Sequence, residues 1–298
     1  MRTTAKLLGL FMVLSLALFG CGTQGSEKSE KTEGAETEEG SKSEATENKE
    51  AESKEAEDEA PAATEAKDEK LDADQVLEKS IAAYDEVKSY SSAMNVNQKI
   101  DDGETKLDVT GTLMTESNYE PFVMHSTDTF KSNGQTIKSE TYMTEDATYT
   151  SENGAGWMMQ DSPGSLMTGQ PKPTDELMSL KEVAKDLNMT ENENEYIISI
   201  DGAKEEVLSL YSDMVNEAAA ALGTNSESVK ITGLKMSYTI DKKTFLQKAS
   251  VVDLNMTTNL DGKTVTMNQS MNGTYDKFNE LNSLSVPKEV MDTAKKQQ

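Results

Sequence analysis

The chain has 298 residues and carries 54 Asp and Glu against 29 Lys and Arg, a formal charge of −25. A single Cys and a single His exclude a Cys/His zinc cluster and an internal disulfide framework, and any His-dependent triad would have to use His125. So acidic a balance argues against nucleic acid as a partner, because nothing offsets phosphate repulsion.

The chain opens on Arg2 and Lys6, followed by an apolar run from Leu7 to Phe19. About 13 apolar residues are too few to span a bilayer as a helix, so residues 1–20 read as an export signal. The run ends in Leu18-Phe19-Gly20-Cys21, which resembles the bacterial lipoprotein signal. That resemblance implies cleavage before Cys21 and lipidation of its thiol by diacylglycerol, with palmitate-type acyl chains anchoring the protein to the membrane. Two buried acyl chains, at about 0.8 kcal/mol per methylene, make a stable anchor where one is marginal. The expected location is the extracytoplasmic face of the bacterial cell membrane.

Residues 22–70 contain no Val, Ile, Leu, Phe, Trp or Tyr, and residues 27–70 hold 17 acids against seven lysines. A segment of this kind buries too little apolar surface to offset its ordering entropy and is expected to be a disordered acidic tether. With the lipidated Cys21 it forms a second region, 21–70, with an r.m.s. reach of roughly 40 Å.

A folded region is expected over 71–298. Residues 72–88 predict a helix, N-capped by Asp72 or Asp74, with Leu77, Ile81 and Tyr84 on one face. The period then drops to two. Met94, Val96 and Ile100 alternate with polar residues, Asp101-Asp102-Gly103 marks a turn, and Leu107, Val109 and Leu113 return. Further strands are predicted over 119–130, with Pro121 near an edge or bulge, and over 135–145 after Asn133-Gly134. A short pair at 146–151 and 156–160 follows. Ser162–Pro173 reads as a loop, and Thr174 as the N-cap of a helix bearing Leu177, Leu180, Ala184 and Leu187. After a short strand at 195–200, residues 203–222 predict an amphipathic helix presenting Val207, Tyr211, Met214, Ala218 and Leu222, stopped by Gly223. Long alternating segments at 229–240, 245–258 and 264–275 precede a final extended piece and a helical tail.

This pattern predicts one α+β domain with about eight to ten antiparallel strands. A lipobox, a tether, a leading helix and long antiparallel strands together resemble the LolA/LppX-like bacterial lipoproteins. So do the segments Tyr238-Thr239-Ile240-Asp241-Lys242-Lys243-Thr244 and Tyr275-Asp276-Lys277-Phe278-Asn279, and the ending Val286-Pro287-Lys288-Glu289. The resemblance is to an uncharacterised Gram-positive branch and covers roughly 71–298. It implies a curved antiparallel sheet, a half-barrel, with helices covering its concave face and a cavity for lipid or acyl chains.

Fifteen of the 17 methionines lie beyond residue 71, many on alternating strand positions. Unbranched, polarisable Met adapts to variable partners, although it also fills cores. With the resemblance counted, the expected lining of a ligand cavity is Met94, Val96, Met124, Met143, Trp157, Tyr211, Met214, Met236, Tyr238, Met256, Met267 and Met271. Copper binding through methionine would want closer spacings than Met267 and Met271 offer. No nucleophile elbow, Walker A, Rossmann or EF-hand motif is present, and no cofactor, metal site or catalytic residue is expected. The expected function is non-enzymatic binding or carriage of a lipid or other hydrophobic ligand. The alternative is an interaction or sensory module for an envelope protein, with no bound ligand.

Overall fold

The computed structural model describes residues 70–161, 173–201, 204, 205, 207, 208, 211, 212, 216, 229–260 and 262–296. The expected signal peptide, Cys21, most of the expected tether, residues 162–172 of the expected loop, Met214 and Gly223 lie outside them.

Helix α1 spans Ala73–Tyr84 and begins with a reciprocal cap. Asp72 accepts from the Gln75 amide at 2.9 Å, while Gln75 Oε1 accepts from the Asp72 amide at 3.0 Å. The helix stops four residues short of the predicted end, where the chain turns through Asp85 to Lys88 into the first strand.

Six strands then run as a meander: β1 (Ser89–Asp101), β2 (Lys106–Tyr119), β3 (Phe122–Ser132), β4 (Gln135–Thr144), β5 (Ala147–Glu152) and β6 (Trp157–Asp161). Pro121 occupies the β2–β3 turn, in a cis peptide after Glu120, and so spares the ladder its missing donor. Asn133 and Gly134, at φ of 49° and 75°, form the β3–β4 turn that their sequence predicts.

After β6 come α2 (Pro173–Glu182) and a 3₁₀ turn (Ala184–Asp186). Thr174 is thus the second residue of α2 and not the residue before it. A second run of strands follows: β7 (Asn188–Glu191), β8 (Glu195–Asp201), β9 (Lys230–Asp241), β10 (Gln247–Leu260) and β11 (Lys263–Asp276). Between β8 and β9, residues 205, 207, 208, 211, 212 and 216 are helical. Helix α3 (Lys288–Thr293) and a two-residue strand, β12 (Lys295–Lys296), close the chain.

Among the described residues, twelve strands form one curved, unclosed sheet in the order β12-β6-β5-β4-β3-β2-β1-β11-β10-β9-β8-β7. Every neighbouring pair is antiparallel except β12–β6. The two meanders meet where β1 pairs with β11, so the first and last long strands lie at the centre. Twelve strands exceed the expected eight to ten. The ten read from the sequence are present; the two edge strands β7 and β12 offer one apolar side chain between them, Met189, and leave no period to read.

One face of the sheet carries the main core. Direct cross-strand pairs put Val96 beside Gly111 and Met271, and Met271 beside Val252. Ile100, Leu107, Met267 and Met256 form the next row but one. Leu77 and Tyr84 of α1, Leu177 and Leu180 of α2, and the helical residues Val207 and Tyr211 belong to the same buried cluster. Helices α1 and α2 are also joined at their surfaces, where Lys181 bonds Glu78 at 2.7 Å.

A second, smaller cluster lies on the opposite face at the β3–β6 end. There Leu284, Val286 and Val290 of the C-terminal segment pack with Val123, Tyr142, Tyr149 and Trp157. The indole and the Tyr142 ring are 5.7 Å apart. Introducing a charge into this cluster with Val290→Asp is expected to cost about 1–3 kcal/mol. Trp157 emission, the chain's only indole signal, should shift to the red as the C-terminal turn lifts; an unmoved emission maximum contradicts the packing.

Candidate functional site

On a strand, side chains at i and i+2 share a face, and directly paired residues on neighbouring strands share it too. By that rule Met94, Val96, Met124, Met143, Met236, Tyr238, Met256, Met267 and Met271 all lie on the core face. Tyr211 is buried in the same cluster from the helical segment. Three bonds dock that segment onto the start of β9, one of them from Asn216 Nδ2 to the Val229 carbonyl at 3.0 Å. Ser212 Oγ accepts from the Ile231 amide at 2.9 Å, and Asn216 Oδ1 accepts from the Val229 amide at 2.6 Å.

Trp157 does not join the set. It pairs with Ser151, which pairs with Glu140 between the core-face residues Ser139 and Thr141, and so takes the opposite face. The four-residue turn Asn153–Gly156 fixes this register, which the strand's own alternation does not reveal.

The core face divides in two. Over β9, β10 and β11, the methionines Met236, Met256, Met267 and Met271 are only 1–4% exposed. A side chain lining a water-sized cavity keeps surface open to it, and these four keep almost none. They are core packing. Two buried amides lie among them: Gln98 Nε2 donates to Met267 Sδ at 2.6 Å, and Gln269 Nε2 to Met271 Sδ at 2.8 Å. Gln98 Nε2 also donates to Gln269 Oε1 at 3.3 Å, so the thioethers supplement an amide pair within the core.

Toward β2, β3 and β4 the packing opens. Met94, Leu113, Met124, Phe130, Ile137 and Met143 are all half-buried on this face. Gly111 and Gly273 make room there. A Cβ at Gly111 would collide with the Phe130 ring, and one at Gly273 with Ser250 Oγ, with Met94 Cγ 3.6 Å away. This band is therefore apolar, continuous with the core and accessible.

A small polar row, Thr115, Ser126 and Thr141, crosses the band, and beside it stands one carboxyl. Asp128 of β3 pairs with Leu113 on β2 and Ser139 on β4, so its side chain shares the core face. Ser139 Oγ and Ser126 Oγ donate to its Oδ2 at 3.3 and 3.5 Å. Its Oδ1 is buried without a hydrogen-bond partner among the described residues. Burial raises its pKa above the ordinary 3.8, against the lowering pull of the two serines and of His125. The folded carboxyl thus holds its proton more tightly than the unfolded chain does. Its contribution to stability is complete below about pH 3.8 and is lost as pH rises through the raised value. Asp128→Asn is therefore expected to melt above the parent at pH 7, with the gap closing toward pH 4 and below. A lower melting temperature for the variant at pH 7 contradicts this.

His125 itself lies on the opposite face, stacked on Tyr142 at 4.3 Å with Nε2 3.0 Å from Glu140 Oε1. Among the described residues, no group of three or more His, Cys, Asp and Glu can hold a metal ion.

The two closing motifs turn out to be structural. Asp241 Oδ1 accepts from the amides of Lys243 and Thr244, both at 2.9 Å, and builds the β9–β10 turn with Phe245 at φ 57°. Burial pushes its carboxyl up, but these bonds outweigh burial and hold its pKa below the usual value. Phe278 packs its ring 6.0 Å from Tyr84 and 6.2 Å from Tyr90, and Asn279 bonds the backbone between α1 and β1.

No curated protein matches the sequence. Among solved structures, a DUF1329 family protein from Desulfovibrio piger is similar at 9% identity and TM-score 0.23, covering 70% of this chain and 93% of that one. A β-barrel-like protein of the domain of unknown function DUF1849, from Brucella abortus, is similar at 9% identity and TM-score 0.21, covering 64% and 97%. A family model matches residues 72–295, from the cap of α1 to the start of β12, and by that match the chain belongs to DUF6612, a family of unknown function.

Proposed function

We propose that this protein is a membrane-anchored extracytoplasmic lipoprotein that binds a lipid or other apolar ligand without catalysing a reaction. The observation that carries the reading is the half-buried band of Met94, Leu113, Met124, Phe130, Ile137 and Met143 on one face of an open sheet. Adaptable thioether side chains suit acyl chains of varied shape. Helices over the concave face, as in the LolA/LppX-like lipoproteins that the sequence resembles, would shield such a ligand from water. The topology supports a covering segment, because the chain between β6 and β7 must pass from one end of the sheet to the other and carries α2. Lipidation of Cys21 and the acidic tether over 22–70 would hold the domain away from the membrane surface.

Native mass spectrometry of the chain purified from bacteria tests the reading. A co-purifying lipid at one copy per chain is expected. Absence of any adduct, together with no binding of added fatty acids or phospholipids, contradicts it.

A second reading, an interaction or sensory module for an envelope protein, is favoured by the closed packing of Met236, Met256, Met267 and Met271. In-cell crosslinking that captures one dominant protein partner, with no lipid bound, would favour it over carriage.

A further inference from the structure

We infer that the open band selects an amphiphile whose polar end is a protonated amine, received by the Asp128 carboxylate. This rests on the proposed binding of an apolar ligand and names the class of that ligand.

Asp128 is out of place on the core face. One adjacent row is apolar, with Phe130 and Ile137; the other is the small polar row of Thr115, Ser126 and Thr141, with Met124 and Met143 beyond it. Two long serine bonds satisfy Oδ2 and nothing among the described residues satisfies Oδ1. A half-buried carboxylate with one enclosed, unused acceptor is costly unless it takes a proton or a cation. His125 projects from the other face of the same strand and makes its own contact with Glu140. No Lys or Arg stands on the core face of β2, β3 or β4, where the other positions are apolar, Gly, Ser, Thr or Gln135, and Glu152 of β5 continues the row beyond Ser139. An ammonium group supplies the counter-charge the carboxylate lacks and, once the side chain turns its enclosed Oδ1 to the open band, the donor that atom lacks. The alkyl chain attached to it would lie along Met124 and Met143 or along Phe130 and Ile137.

The probes are dodecylammonium, dodecanol and dodecanoate, titrated calorimetrically into the full chain and into its Asp128→Asn variant. In the parent, dodecylammonium should bind more tightly than dodecanol, and dodecanoate more weakly. Asp128→Asn should weaken the amine by roughly tenfold or more, the size expected for losing a charge-assisted hydrogen bond. Dodecanol should change by less than about twofold, which also shows that the variant keeps its fold and its apolar site. Equal amine affinity in parent and variant overturns the inference, because adsorption to an acidic surface is indifferent to one carboxyl among 54. An equal loss for amine and alcohol overturns it too, since Oδ1 would then serve any donor. If dodecanol and dodecanoate bind but the amine gains nothing, the inference falls and apolar binding stands. If none of the three binds, both fall.

Discussion

Replacing Met256 with alanine is expected to destabilise the protein by about 2–5 kcal/mol, whereas Met143→Ala should cost about 1 kcal/mol or less. The two residues have the same chemistry, sit on the same face of the same sheet and are both flanked by methionine: Met267 beside Met256, Met124 beside Met143. Their surroundings differ. Met256 is 2% exposed and enclosed by Ile231 and Met267 from its neighbouring strands, so truncation leaves a cavity that the rigid sheet cannot collapse. Met143 is half-buried at the open end, and water or a ligand can take its place. Denaturant unfolding of both variants measures the contrast. Equal costs would mean that the core face is uniformly packed or uniformly open, and would erase the division on which the binding reading stands.

Asn279→Ala is the second large effect, at about 2–4 kcal/mol. The side chain accepts from the Lys88 amide at 2.6 Å and donates to the Glu86 carbonyl at 3.2 Å. Its own amide donates to the Ser89 carbonyl at 2.8 Å. It thereby fixes the passage from α1 into β1 with a residue 191 positions away. Each lost side-chain bond is worth about 0.5–1.5 kcal/mol. Asn279 also sits at φ 60°, a conformation that costs alanine a further 1–2 kcal/mol or so. Asn279→Gly separates the two contributions, since it forfeits the bonds but tolerates the backbone. The glycine variant should recover part of the loss; thermal unfolding of both substitutions decides whether it does.

The strands were legible because their residues alternate. Met94, Val96 and Ile100, or Met267 and Met271, declare a two-residue period that pairing then obeys. Which methionines would be sealed and which left open was not legible. That depends on the β1–β11 pairing, which brings residues some 170 apart side by side and places β9, β10 and β11 in the closed half. The face that Trp157 takes was hidden for a related reason. Alternation within β6 gives two faces but not which is which, and the Asn153–Gly156 turn settles it. Asp128 was hidden among 54 acids. Its signal was a carboxylate on the apolar phase of a strand, in step with Met124 and Phe130, and only a fixed register for β3 exposes it. Asp241 and Asn279 were visible as motif residues, yet their work is to build a turn and to pin a junction, not to bind.

The proposal that an apolar ligand occupies the open band, and not the methionine core, is tested most directly by methionine-methyl NMR. The chain is labelled at its methionine methyls and titrated with a dodecyl amphiphile. The account expects the Met94, Met124 and Met143 resonances to shift together with saturation, while Met236, Met256, Met267 and Met271 hold their positions. Shifts at the four buried methyls with none at the open three, or a titration that moves no methyl at all, would contradict it.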